Sequence, residues 1–303
     1  MERDTDETKG RRGFMIGQAE MTARPLEPAL YLVATPIGNL GDITLRALEV
    51  LAAADLLACE DTRVTRTLLA RYGIRQRPVA YHEHNAAEAG PRLVDAVAAG
   101  RSVALVSDAG TPLISDPGYR LVEQALAVGL RVVPVPGASA ALAALTASGL
   151  SSDAFFFAGF LPVEDGQRRQ RLQELRTVPG TLIFFESPRR LADSLSAMAE
   201  ALGDRPAAVG RELTKAFEEF RRGGLVELAA YYAETDAPKG EAVVCVGPPA
   251  EDEARPEDTD SLLLSLAAVM PAAKAAAEAA RLTGASKGAL YRRLLVLKDE
   301  AGG

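Results

Sequence analysis

Short apolar, β-branched runs alternate along the chain with stretches whose apolar positions recur every three to four residues. Residues 30–34, 55–59, 103–106 and 131–135 read as strands. Helical patterns follow them. Leu45, Leu48, Leu51 and Ala52 share one face after a cap at Asp42 or Thr44, and Val64, Leu68, Leu69 and Tyr72 share another that stops at Gly73. A third helix spans 88–99 and closes at Gly100. A fourth carries Leu121, Val122, Ala125 and Leu126 and stops at Gly129, and a small-residue helix runs on to Gly149. Strand–helix repetition of this kind predicts an α/β fold on a parallel sheet, with the connecting loops gathered at one edge. From Ser152 the spacing changes. Strands near 154–158, 181–186, 207–211 and 242–246 predict a second α/β domain with a mixed sheet. The expected divisions are a disordered extension over 1–28, α/β domains over 29–136 and 137–248, an acidic linker over 249–260, and a helical module over 261–303.

The loops carry the candidate chemistry. SDAGTPLISDPG (107–118) follows the apolar run at 103–106 and is longer than the roughly 2–6 residues such connections use. Its glycines allow close backbone approach to a ligand, and Asp108 and Asp116 add fixed acceptors. TPIGNLGDIT (35–44) and VPGASA (135–140) are small-residue loops of the same kind. The recurring loop has Asp where a phosphate loop has Lys, and no GxGxxG follows a strand. Such a pocket suits a zwitterionic or cationic ligand, and a methyl donor with a sulfonium centre fits. Methyl transfer to oxygen or nitrogen needs chiefly in-line positioning, so few catalytic side chains are expected. Candidate bases are Glu186, Glu212, His82, His84 and Asp108. Charged residues at other strand ends, Arg63, Arg189, Arg211 and Lys215, are candidate substrate contacts. YHEHN (81–85) places two His at i, i+2, which does not match a helical zinc pair; His82 and Asn85 are read as a substrate-facing polar loop, with no metal.

Composition narrows this picture. Trp is absent and aromatics are only 5%, so Ala, Leu and Val build the core. Two cysteines in apolar runs, Cys59 and Cys245, read as buried thiols. The uncharged stretch 132–152 is broken by Pro and Gly, which excludes a membrane span, and with no signal peptide the expected location is cytoplasmic. A net charge of −7 argues against indiscriminate nucleic-acid binding. Its distribution is uneven, however: residues 251–260 carry six acids and one base, whereas 261–303 carry six bases against three acids, among them Lys287 and Arg292. A basic helical tail of this kind can contact phosphates.

LYLVATPIGNLGDIT, ACEDTR, YHEHN, VALVSDAGTPLISDPG, VPGASA, GFLP, FFES, RELTK and KGE occur in this order. Together they resemble the bacterial 16S ribosomal RNA cytidine 2′-O-methyltransferases of the tetrapyrrole-methylase superfamily, from about Leu30 to the end. The resemblance implies two α/β domains enclosing a cleft for S-adenosylmethionine (SAM), plus a small C-terminal helical module that helps hold 16S rRNA in the 30S subunit. It implies a homodimer. Cofactor contacts then fall on Pro36, Gly38, Asn39, Asp108, Ala109, Gly110, Thr111, Pro136, Gly137 and Ser139. Rival readings are a precorrin-type tetrapyrrole methyltransferase and a non-catalytic RNA-binding assembly factor.

Overall fold

A computed structural model describes residues 12–115, 118–236, 239–249, 256–283 and 285–301. Two compact units form. The first comprises the described residues up to Ala147 together with Gly210–Phe220 and Gly240–Val243; the second comprises Ser148–Val209, Arg221–Lys239 and the chain from Val244 onward. The first unit thus extends past residue 136 and takes in two later segments that no compositional shift marks.

The first unit opens with a hairpin, β1 (Gly13–Ile16) and β2 (Ala19–Thr22). Its sheet then uses β3 (Ala29–Val33), β4 (Leu56–Cys59), β5 (Val79–Ala80), β6 (Ser102–Val106) and β7 (Val132–Val135), in the order β5-β4-β6-β3-β7. Every pairing is parallel. The intervening helices are α1 (Leu45–Ala53), α2 (Thr62–Arg71), α3 (Ala86–Ala98) and α4 (Tyr119–Ala127), and α5 (Ala140–Ser148) follows β7. Alternation along the strands sends Tyr31, Val33, Leu57, Cys59, Ala104 and Val106 to a core with α1 and α2. Leu30, Ala58, Val103 and Leu105 go to a second core with α3 and α4. The chain therefore leaves adjacent strands β3 and β6 toward opposite faces, which is where open α/β sheets form ligand crevices.

The expected disorder before residue 28 does not hold for the described part. Phe14 is buried in the α1 core, Met15 N–H donates to Tyr72 O at 2.8 Å, and Arg12 reaches both Ala53 O and Asp55. A hairpin folds here because β1 docks on α1 and carries the exposed β2 with it; residues 1–11 lie outside the described residues. Burial alone pushes the Asp55 carboxyl up. The Ser102 N–H, the Arg12 guanidinium and the Ser102 hydroxyl outweigh it and hold it at about 2. Because the folded value is depressed, the resulting stability is present above the ordinary value of 3.8 and is lost as pH falls from there through about 2. The stability difference between wild type and Asp55→Asn should therefore shrink across that window in acid-unfolding curves. A gap that stays constant would refute the assignment.

The second sheet is built on β8 (Phe155–Phe160), β9 (Thr181–Glu186), β10 (Pro206–Arg211), β11 (Glu219–Gly224) and β12 (Ala242–Val246), ordered β11-β10-β12-β9-β8, with β8 and β9 parallel. Strand β11 was not expected, because EFRRGG has no apolar alternation. Its helices are α6 (Asp165–Leu175), α7 (Leu191–Leu202) and α8 (Leu225–Glu234). Three more follow: α9 (Pro256–Val269), α10 (Ala272–Thr283) and α11 (Lys287–Ala301). They enclose a small core in which Leu263 meets Ala275, Ala276, Ala279, Leu290, Leu294 and Leu297. The expected acidic linker is shorter than its charge suggests. Residues 256–260 belong to α9, where the Asp260 carboxylate accepts from Arg293; 250–255 lie outside the described residues.

Candidate functional site

Because all five strands of the first sheet run parallel, their carboxyl ends deliver TPIGN, EDTR, YHEHN, SDAGTP and VPGASA to one edge. Three of these loops are tied together. Thr35 N–H donates to Gly110 O at 2.9 Å and Gly110 N–H returns a bond to Thr35 O at 3.0 Å. The Thr111 hydroxyl donates to Ala138 O at 3.3 Å. Gly137 lies so close to the end of β3 that a Cβ there would meet the Ala34 Cβ at 2.9 Å. A fourth loop joins through Asp108, whose carboxylate accepts the Asp61 N–H at 2.9 Å. That bond anchors the start of α2, where Asp61 caps the helix by accepting Arg63 N–H.

These ties frame a concavity of about 380 Å³, a volume within the ordinary range for small-ligand sites. One wall is Thr35–Gly38, written in the backbone. A second is α2, through the exposed Val64 and the buried Thr65 and Leu68. Ser107–Ala109 form the floor, and Lys215 and Glu241 close it. Val64 was expected to face inward with Leu68 but is 44% exposed and lines the concavity. Leu45 and Leu126 are likewise exposed, while Leu48 and Leu121 bury as expected.

Lys215 belongs to RELTK, on a loop between β10 and β11. Its ammonium donates to Glu212 Oε1 at 2.7 Å and to Glu241 Oε2 at 2.9 Å. Partial burial alone would depress the ammonium; Glu212 and Glu241 reverse this and raise it. The Lys215 hydrogen bond in turn lowers Glu212, against burial. Two non-glycine residues of this loop, Glu212 (φ 49°) and Thr214 (φ 65°), sit in the left-handed region, a strain that persists only where surroundings enforce it. The enforcement is visible. Glu212 N–H donates to Glu241 O, the Glu218 carboxylate accepts the Thr214 N–H, and the Thr214 hydroxyl accepts Asn39 N–H at 3.1 Å. Glu241 was not anticipated. The signal was KGE itself: a Cβ at Gly240 would strike the Glu212 carboxylate, so that glycine and RELTK form one unit.

The other predicted residues fall as follows. Pro36, Gly38, Asp108 and Ala109 line the concavity; Gly110, Thr111, Gly137 and the Asn39 N–H help hold its loops. Pro136 is exposed and Ser139 caps α5, its N–H-accepting hydroxyl facing Leu142 N–H. Arg63 is folded onto Asp61 at 2.6 Å, a solvent-exposed pair that costs little to open. The His82 N–H donates to Asn85 Oδ1, and the Asn85 amide donates to Ala80 O, so this pair shapes the turn after β5. His84 is exposed, with its ring 5.9 Å from that of His82. Arg211 pairs with Glu219 at 3.0 Å. Asp116 lies outside the described residues.

Glu186 has a different position from that expected of a base. Its side chain is fully buried in the second unit, accepting from Ser187 N–H at 2.8 Å and the Ser194 hydroxyl at 2.5 Å, with Arg190 at 3.5 Å. Arg190 in turn donates to Leu161 O and Pro162 O. FES and GFLP are thus joined by an internal clamp, while the neighbouring Arg189 is exposed. Glu186→Ala should lower unfolding stability by about 3 kcal/mol, because it leaves Arg190 without its buried partner. Denaturant titration of that variant checks this, and a loss within error of zero would contradict a clamp.

Among the described residues, no three His, Cys, Asp or Glu are grouped to hold a metal, and no helix is long and apolar enough to cross a membrane.

Comparison with known proteins fits this geometry. The solved cobalt precorrin-4 methyltransferase covers 72% of the chain and is itself 94% covered, at TM-score 0.55 and 19% identity; diphthine synthase gives 72% and 90% at TM-score 0.58 and 18% identity. Both establish the fold. The ribosomal RNA small subunit methyltransferase I of Mesorhizobium japonicum is 71% identical over 289 residues, 95% of this chain and 98% of that protein. Its counterpart from Escherichia coli O157:H7 is 48% identical over 269 residues, 88% and 94% of the two chains. The RsmI C-terminal HTH domain model matches residues 253–298, and the tetrapyrrole (corrin/porphyrin) methylase model matches residues 29–229. The chain is therefore a member of the tetrapyrrole (corrin/porphyrin) methylase family, in the branch of the ribosomal RNA small subunit methyltransferase I proteins.

Proposed function

We propose that the chain transfers the methyl group of SAM to the ribose 2′-hydroxyl of a cytidine in 16S rRNA within the 30S subunit. The observation that carries this reading is the convergence of TPIGN and SDAGTP, with VPGASA tied behind them, on one concavity whose lining presents carboxylates and an ammonium together. A lining of both signs fits the zwitterionic methionine end of SAM. We assign Pro36, Gly38, Asp108, Ala109, Gly110 and Thr111 to SAM, with Pro136, Gly137 and Ser139 completing the set. SAM supplies an electrophilic methyl group on a sulfonium. This chain supplies alignment, the contribution on which such a transfer chiefly depends. Glu212 serves as the group that holds Lys215, and Glu186 as an internal clamp. Of the five candidate bases, His84, just past β5, is the exposed one, whereas Glu186 is buried and Glu212, His82 and Asp108 are half-buried.

The helical module is assigned to RNA. Leu290, Leu294 and Leu297 turn inward on α11, which leaves Lys287 and Arg292 exposed on its other side. The double variant Lys287→Glu/Arg292→Glu should weaken RNA binding without changing SAM affinity. It should also flatten the dependence of log K on log salt by roughly 1.5. Edge strand β8, with Phe155 and Phe160 exposed, supports pairing with a second copy.

The test of the reading is transfer of tritium from labelled SAM to 30S subunits that lack the modification, followed by nucleoside analysis. Label in a 2′-O-methylcytidine is expected. Label on a base, or none in RNA, would overturn the assignment.

A further inference from the structure

The loop between β10 and β11 inverts the usual rule for exposed turns. Its acidic residues are consumed internally: Glu212 by Lys215, Glu218 by the Thr214 N–H, and Glu219 by Arg211. Its aromatic residue points outward. Phe217 is 77% exposed, more than any other described aromatic side chain, although burial of such a ring is ordinarily favourable. The segment beneath it is braced by contacts. Leu213 is buried, two residues are held in left-handed strain, and Thr214 is fastened to the TPIGN loop through Asn39. Phe217 stands two residues from Lys215, which lines the concavity. Strain and lost burial at one loop beside a binding site indicate that the exposed ring has a use.

We infer that Phe217 is a stacking platform for an unpaired base of the RNA substrate, next to the nucleotide that enters the concavity. This rests on the reading that RNA is the substrate. Specific RNA readers act on unstacked bases and commonly receive them on aromatic rings, and any base offers a π-face to stack. A braced loop suits this role, because a ring already held in place loses little entropy when a base lands on it.

The absence of Trp from the chain provides a direct test. Phe217→Trp introduces a single indole reporter and preserves the stacking surface. Its emission should be quenched by a short single-stranded RNA containing cytidine, and not by S-adenosylhomocysteine or by an RNA duplex of the same length. With 30S subunits, Phe217→Ala should raise the RNA KM by about ten- to a hundredfold, the range expected for one lost base stack. SAM affinity and the unfolding midpoint should be unchanged, and Phe217→Trp should keep the wild-type KM. An unaltered KM in Phe217→Ala, or indole emission indifferent to single-stranded RNA, would overturn the inference while leaving methyl transfer intact. Emission that responds to protein concentration instead would reassign the ring to contact with a second copy. If wild type transfers no methyl group to RNA, the functional reading fails and this inference falls with it.

Discussion

Gly38→Ala is expected to reduce methyl transfer by about a hundredfold, the scale set by misplacing a reacting group by roughly 1 Å. Gly38 has φ 155°, and a Cβ there would collide with the Lys215 stem, meeting Cε at 2.9 Å and Cδ at 3.1 Å after the closer Cγ. The lysine cannot simply swing aside, because Glu212 and Glu241 hold its far end. The methyl group therefore displaces either the TPIGN loop or the lysine, and both line the concavity. Gly100→Ala is the control. Its φ is 83° with nothing within 4 Å of the added Cβ, so it carries backbone strain without a collision. Steady-state kinetics should show loss of activity only in the Gly38 variant. Equal losses in both would assign the effect to general destabilisation.

Lys215→Met should cost about 2 kcal/mol at neutral pH, with a comparable loss of activity. The substitution keeps the stem against Gly38 and removes only the ammonium, which leaves two carboxylates facing each other without their shared donor. The pH dependence identifies the cause. In the wild type the Lys215 bond lowers Glu212, so its contribution is present above the ordinary 4.5 and is lost as pH falls through the depressed value. In the variant the uncompensated Glu212 carboxylate takes up protons more readily. The deficit relative to wild type should therefore be largest at neutral pH and shrink below about 4.5, the ordinary value. Urea unfolding across that range checks this. A deficit independent of pH would mean that Lys215 acts through packing alone.

Four of the five strands of the first sheet, β3, β4, β6 and β7, could be read in order from the chain because each is a short apolar run followed closely by Pro or Asp; β5 is two exposed residues, Val79–Ala80, and was not expected. The convergence of the three loops followed from that order, since parallel strands leave their carboxyl ends together. What escaped the reading depends on contacts distant in sequence. The β1–β2 hairpin lies in a polar, aperiodic terminal stretch and is fixed by Phe14 packing on α1 and Arg12 reaching Asp55, some forty residues away. Strand β11 has no apolar alternation and exists through its place beside β10. Val64 repeats with Leu68 at helical spacing, and spacing alone cannot reveal that α2 turns that side toward a concavity. Glu186 looked like a base because it ends a strand. Its three partners are local, one, four and eight residues ahead, but only the turn of the chain into α7 aims them at its carboxylate. RELTK and KGE read as separate motifs, and only the fold shows them as one brace.

The central claim is that the loops at the carboxyl edge of the first sheet hold the methyl donor. A crystal structure of the full chain with S-adenosylhomocysteine tests this most directly. The account predicts the adenosyl group against Asp108–Thr111 and the turn at residues 136–139, with Lys215 still held by Glu212 and Glu241. Ligand density at another edge of the sheet, or none at saturating concentration, would contradict it.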